Sequence, residues 1–251
     1  MACDDSTLDL KIVKRGLKPL GGGEIIFKCP VKKNLKAIQM SNSGMVKRIR
    51  GVVYSCKVSP TFANRTGKLK VKTKEKKKLI ILNFNILVES SKGVMLKFLP
   101  DIYIHTDQNK GKNSGLSSGY GINLSAETTE NIIYSVEAVS NTEGALVLPE
   151  DLGIQCAEKL LDEIYRGGCC DSTFQWILFL YMALGAKSVS KVTTGPLSQY
   201  SIKFLQLLRE FFGVSFKLDA SKDEEEDENA LPKVELTCVG IGYSNISKRV
   251  L

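Results

Sequence analysis

The sequence predicts an α/β protein whose helices lie on one side of its strands, and three observations carry that prediction. Leu8-Asp9-Leu10-Lys11-Ile12-Val13 alternates apolar and polar residues, the period of a half-buried strand, and similar short stretches recur along the chain. Two segments after Pro149 have helical spacing instead. Leu152, Cys156, Ala157, Leu160, Leu161 and Ile164 form one stripe, and Ile202, Phe204, Leu205, Leu208, Phe211 and Phe212 form the other. The two kinds of segment are mixed without strict alternation and carry no dinucleotide fingerprint, which points to α/β layers rather than a Rossmann fold. At 251 residues and 43% hydrophobic, the chain can bury a substantial core in one or two domains.

After the first strand, Gly21-Gly22-Gly23 reads as a turn, with a phosphate cradle of backbone N–H groups as the alternative, and residues 24–29 read as the next strand. Strands opening a chain in this way expect partners. Lys47-Arg48-Ile49-Arg50 leads into a strand over 51–58, and Ser59-Pro60 is a break and a helix start. Residues 66–89 match neither neighbour: a self-repelling lysine run at 68–78 is followed by an apolar, β-prone run at 79–88. A helical pattern at 91–99 ends at Pro100. Residues 101–105 read as a strand, and within it His105, the only histidine, is a strand residue rather than a catalyst. The basic, glycine-rich stretch 109–121 lacks P-loop spacing and reads as a mobile surface connection, or as a loop that contacts a nucleic-acid backbone. Strands follow at 122–127 and 132–139.

The helix from Pro149 runs into Gly167-Gly168, which stop it, and Asp171, Ser172 or Thr173 can cap the next. Residues 174–184 are apolar on every side, as in a helix buried all round. A helix start carrying small polar residues is either an anion site or a plain capped turn. Strands at 189–192, 214–218 and 233–243 complete the chain, with the third helix closed by Gly213 and an acidic loop at 223–228.

The net charge of +8 hides a split, +16 over residues 1–115 and −8 over 116–251. A basic half suits phosphate contacts. No signal peptide is apparent, and the longest apolar run, 176–184, is far short of the roughly 20 residues a membrane helix needs, so the expectation is a soluble, intracellular protein with no membrane contact. Seven scattered cysteines without a C-x-x-C pair are expected to be reduced, and with one histidine no zinc site or two-histidine mechanism is expected.

Several motifs together resemble the RNA 3′-terminal phosphate cyclase family, in its eukaryotic cyclase-like branch of ribosome-assembly factors. They are Lys14-Arg15-Gly16, Pro19-Leu20-Gly21-Gly22-Gly23-Glu24, Arg48-Ile49-Arg50-Gly51, Phe98-Leu99-Pro100-Asp101-Ile102-Tyr103-Ile104, Ala126-Glu127-Thr128-Thr129, Leu148-Pro149-Glu150-Asp151-Leu152-Gly153, Glu163-Ile164-Tyr165-Arg166-Gly167-Gly168-Cys169 and Cys238-Val239-Gly240-Ile241-Gly242. The resemblance implies a partial cyclase fold of β-α-β-α-β-β units with a smaller inserted α/β domain. Residues 1–30 would end one unit, 31–147 would form the inserted domain, and 148–251 the last unit. The family's first unit, most of its second and its Glu-Gly-Gly-Gly-Gln signature have no counterpart. Residues 66–89 would be an insertion into one helix, of the kind alternative splicing produces.

True cyclases take AMP from ATP on the histidine of a His-x-x-Asp-Gln motif. Anchored on Gln175, that position is Asp171 here, and the motif's Asp is Phe174. The cyclase-like branch lacks the histidine too, so no cyclase activity, catalytic residue, cofactor or metal is expected. At Cys170 and Phe174 the chain departs even from its branch. The resemblance implies a non-catalytic role in pre-18S rRNA processing within the nucleolar small-subunit processome, with a ribosome-assembly GTPase, pre-rRNA and the U3 small nucleolar ribonucleoprotein as partners. Lys47, Arg48, Arg50, Lys110, Lys112 and Arg166 are the candidate contacts to RNA or partner. Two alternatives stand beside it. One is a pre-rRNA endonuclease using carboxylates such as Asp171 and Glu24. The other is nucleotide or RNA-end binding without turnover, which ATP protection of Cys169 or Cys170 would reveal.

Overall fold

A computed structural model describes residues 8–57, 87–109, 111–140, 148–220 and 231–245. The expected helix start at 59–60, the lysine run 68–78, the apolar run as far as residue 86, Lys110 and the acidic loop 223–228 lie outside these residues.

Three sheets are present among them. β1 (Asp9–Lys14) and β2 (Glu24–Lys28) form an antiparallel hairpin. β3 (Gln39–Met40) belongs to a second sheet, described below, and β4 (Val46–Cys56) begins the third. Residues 87–95 are helical (α1) and precede β5 (Ile102–Asn109), so α1 lies in the crossover that the parallel β4–β5 pair requires. β6 (Gly119–Thr128) and β7 (Ile133–Val139) complete a four-stranded sheet of order β5-β4-β6-β7. α2 (Pro149–Arg166) packs across β6 and β7. Its start follows from Pro149 at the first helical position, with Glu150 and Asp151 complementing the positive end of the helix. Gly153 of α2 faces α1 so closely that a Cβ would strike Leu87 O and Ser90 Oγ.

α3 (Gln175–Leu184), β8 (Val189–Thr194), α4 (Gln199–Phe212), β9 (Lys217–Ala220) and β10 (Val234–Val239) follow. Here the sheet order is β3-β8-β10-β9, with β3 parallel to β8 and the other pairs antiparallel. β3 thus brings residues from early in the chain to the edge of a sheet built near its end. α3 packs on β10 and α4, and Trp176 meets Tyr200 and Phe204 edge-on. One core runs through both four-stranded sheets, joining Met95, Ile122 and Leu124 to Leu160, Phe179, Val192 and Leu236.

The α/β layering is as the sequence predicts, and local expectations are corrected in six places. The hairpin is not half-buried: Leu10 and Phe27, paired across it, are 64% and 61% exposed. α3 is not buried all round. Phe179, Met182 and Ala183 are enclosed while Tyr181 faces solvent, because α4 and β10 cover one side of the helix. On α4, Leu208 alone of the predicted stripe is fully buried, and Phe211 is 78% exposed. Leu87 and Val88, the end of the β-prone run, are helical rather than β and enter the core. The strand expected at 214–218 begins at Lys217.

The sixth correction concerns the glycine-rich stretch, which is anchored rather than loose. Gly119, Tyr120 and Gly121 belong to β6. Gly115 N–H donates to Arg15 O (2.8 Å), Leu116 N–H to Gly21 O (2.9 Å), and Leu20 N–H to Ser117 Oγ (2.9 Å). Gly22, at φ +74°, leaves no room for a Cβ beside Leu116. The triple glycine therefore packs against this stretch.

Candidate functional site

The turn between α2 and α3 is built by two glycines in left-handed backbone. Gly167 (φ +65°) ends α2, its N–H reaching Glu163 O at 3.2 Å. Gly168 (φ +87°) bridges to Thr194, and a Cβ on it would overlap the Thr194–Gly195 backbone. Cys169 N–H then donates to Thr193 O (2.8 Å), and the Tyr134 hydroxyl to Gly168 O (2.6 Å). The turn is thereby fixed to the end of β8 and to β7 of the other sheet.

Asp171, at the position where the family's nucleophile would fall, is 3% exposed. Its Oδ2 accepts the N–H and hydroxyl of Ser135 on β7 (3.1 and 3.3 Å), and its Oδ1 accepts Phe174 N–H (3.0 Å). Burial raises its pKa above the ordinary carboxylate value, opposed by the bonds from Ser135 and Phe174. Glu163, from the last turn of α2, receives both the N–H of Ser172 (2.8 Å) and its hydroxyl. Two donors that an anion would need before α3 are thus held by the protein's own carboxylates. Gln175, also buried, accepts from Ser198 N–H (3.2 Å) and Ser201 Oγ (2.8 Å) and donates to Pro196 O (3.2 Å), fastening α3 to the start of α4. There Ser198 caps Ser201 N–H.

Beside this turn lies a cleft of about 360 Å³, walled by β6, β7 and α2, with Phe174 and Ser135 at the Asp171 side. Its charged lining is Glu137, Asp162, Glu163 and Lys159, a balance unfavourable to a polyphosphate. Burial pushes the Cys169 thiol up to about 11 and the Cys170 thiol up to about 12, so neither is a thiolate nucleophile near neutrality.

The other candidates are scattered. Lys47 and Arg48 on β4 share one carboxylate, Glu127 of β6 (2.7 and 2.6 Å), and hold it below its ordinary pKa. Arg50 makes a two-pronged bond to Asp101 (2.8 and 3.1 Å). Arg166 pairs with Asp162 one turn back (3.0 Å). Lys112 is exposed on a short 3-10 turn, Gly111–Asn113, and makes no ion pair with a described residue. Glu24 pairs with Lys14 on the hairpin (2.7 Å), away from the Asp171–Ser135 contact. Among the described residues no group of three His, Cys, Asp or Glu side chains could hold a metal ion, and no helix is long and apolar enough to cross a membrane. The described cysteines are free.

Sequence reasoning missed Glu163 and Ser135. Glu163 carried a local signal, since it precedes the glycines on the helix that delivers them. Ser135 carried none, because only the fold brings β7 to the turn.

The sequence model described as RNA 3′-terminal phosphate cyclase matches residues 2–218. A probable RNA 3′-terminal phosphate cyclase-like protein of Drosophila melanogaster is 54% identical, over 98% of this chain and 61% of its own length. The human RNA 3′-terminal phosphate cyclase-like protein is 49% identical, over 98% and 60%. The rRNA processing protein rcl1 of Schizosaccharomyces pombe is 37% identical, over 97% and 59%. The chain therefore spans about three fifths of the length of the curated relatives it matches.

Proposed function

Because this chain belongs to the RNA 3′-terminal phosphate cyclase family, we propose that it is a non-catalytic factor in rRNA processing, acting on pre-18S rRNA in the nucleolar small-subunit processome. The observation that supports this reading most is the state of Asp171. A nucleophile must present a free lone pair to its substrate. Both Asp171 oxygens instead accept hydrogen bonds from Ser135 and Phe174, and at 3% exposure the carboxylate is turned to the protein rather than presented to a substrate. The neighbouring cleft has more carboxylates than lysines, and the Phe174 position offers no acid or base. That charge balance disfavours ATP or an adenylated intermediate there. The fission yeast relative, an rRNA processing protein, supports the same class of process.

A ribosome-assembly GTPase and the U3 small nucleolar ribonucleoprotein are the partners this reading entails, and residues 31–147 and 148–251 form its two working parts, with β3 lent by the former to the sheet of the latter. Affinity purification of the tagged chain from dividing eukaryotic cells tests it. Pre-18S rRNA, U3 RNA and a GTPase are expected to be recovered together. Recovery of folded chain without either RNA overturns the reading.

A further inference from the structure

At one end of the β3-β8-β10-β9 sheet three segments from distant parts of the chain meet. Residues 31–38 lead into β3, residues 185–188 join α3 to β8, and residues 240–245 follow β10. Asn245 N–H donates to Lys33 O (2.8 Å), Gly242 N–H to Gly185 O (2.7 Å), and Ile38 N–H to Ser190 Oγ (3.1 Å). Gly242, at φ +68°, lies under the aliphatic stem of Lys187, which occupies the space a Cβ would need.

These segments carry Lys32, Lys33, Lys36 and Lys187, all exposed, and no Asp or Glu. Lys33, Lys36 and Lys187 make no ion pair with a described residue. The nearest carboxylates in the sheet are already taken, Glu235 by Lys191 (2.9 Å) and Asp219 by Lys217 (2.8 Å). This end differs from β4, where the arginines are answered by Glu127 and Asp101. Tyr243, 54% exposed, belongs to the third segment. Uncompensated lysines with an exposed aromatic are the chemistry that tracks a single-stranded phosphate backbone and stacks a base.

We propose that this lysine-bearing end, formed by Lys33, Lys36 and Lys187 with Tyr243 beside them, is the surface on which the protein holds single-stranded RNA. The proposal rests on the rRNA-processing reading and gives it a location. Fluorescence anisotropy with a labelled 12-nucleotide single-stranded RNA, titrated across salt concentrations, tests it. The triple variant Lys33→Glu, Lys36→Glu, Lys187→Glu is compared with a charge-matched control, Lys11→Glu, Lys97→Glu, Lys203→Glu, whose sites are exposed on β1, after α1 and on α4.

The triple variant is expected to bind at least tenfold more weakly than the control. Its slope of log affinity against log salt is expected to flatten by roughly 2, at about 0.7 per released phosphate contact. Equal weakening in both variants shows a general charge effect and overturns the location, while leaving RNA binding intact. Absence of binding by the unmodified chain overturns both the location and the RNA reading. Gln substitutions at the same three lysines, with melting curves for each variant, separate lost binding from lost folding. Weakening by Glu that Gln does not share, with a lowered melting temperature, overturns the proposal.

Discussion

Asp171, which the family resemblance aligns with the cyclase nucleophile, is held as a structural residue. Its three accepted hydrogen bonds come from a strand and from the turn it sits in, so truncation removes the acceptor of the Ser135 N–H and hydroxyl and leaves Phe174 N–H only its longer bond to Asp171 O (3.3 Å). Asp171→Ala is expected to cost roughly 1–3 kcal/mol, read by urea denaturation. The raised pKa fixes the sign of a pH effect. An acid whose folded pKa exceeds its unfolded value binds more protons in the folded state between the two, so its contribution is full below the unfolded value and is lost as pH rises through the folded one. The stability of the unmodified chain relative to Asp171→Asn should therefore fall as pH rises through that window. A rise would show that the carboxylate is stabilised rather than penalised by its surroundings. The cysteines give a companion prediction. At pH 8 a thiol raised to about 11 is roughly a thousandth ionised, so peptide mapping after brief iodoacetamide treatment should find exposed Cys29 labelled well before Cys169 and Cys170.

At the scale of elements, Gly168 after α2 differs from Gly213 after α4 in a way that stability measurements can read. Gly213 is left-handed but open, so Gly213→Ala should cost only about 1 kcal/mol. Gly168 is left-handed and pressed against the Thr194–Gly195 backbone, so Gly168→Ala should cost more than about 2 kcal/mol by combining strain with a clash. The hairpin predicts the opposite kind of outcome. Leu10→Lys with Phe27→Lys should shift stability by less than about 0.5 kcal/mol, because both side chains already meet water.

These elements also mark what was legible in the sequence. Gly167-Gly168 with the acid and hydroxyls after them predicts a helix end and a capped turn, because those preferences are local. The stripe at Leu152, Cys156 and Leu160 predicts the buried face of α2 for the same reason. Exposure of α4's Phe211 and of the hairpin was hidden, since an apolar stripe shows that a face wants cover and not whether cover is present. β3, two residues long and paired with a strand far along the chain, has no periodicity to detect.

For the whole molecule, the strong charge split in the sequence is redistributed by folding. Among the described residues, Arg15, Lys47, Arg48 and Arg50 of the basic half are answered by Asp107, Glu127 and Asp101. Lys33, Lys36 and Lys187, which make no ion pair with a described residue, come from segments that sequence order keeps apart. In the cleft beside the turn the balance is reversed, with Glu137, Asp162 and Glu163 lining it beside Lys159. This distribution is the one the proposed RNA surface at the end of the β3-β8-β10-β9 sheet requires.

The central claim, that the former nucleophile position now holds the structure together and performs no chemistry, is tested most directly with Asp171→Ala. Its stability and its turnover of RNA bearing a 3′-phosphate, with ATP present, are measured beside those of the unmodified chain. The account predicts a loss of roughly 1–3 kcal/mol in stability and no conversion of the RNA end by either protein. Conversion by the unmodified chain that disappears in Asp171→Ala, with stability unchanged, would contradict it.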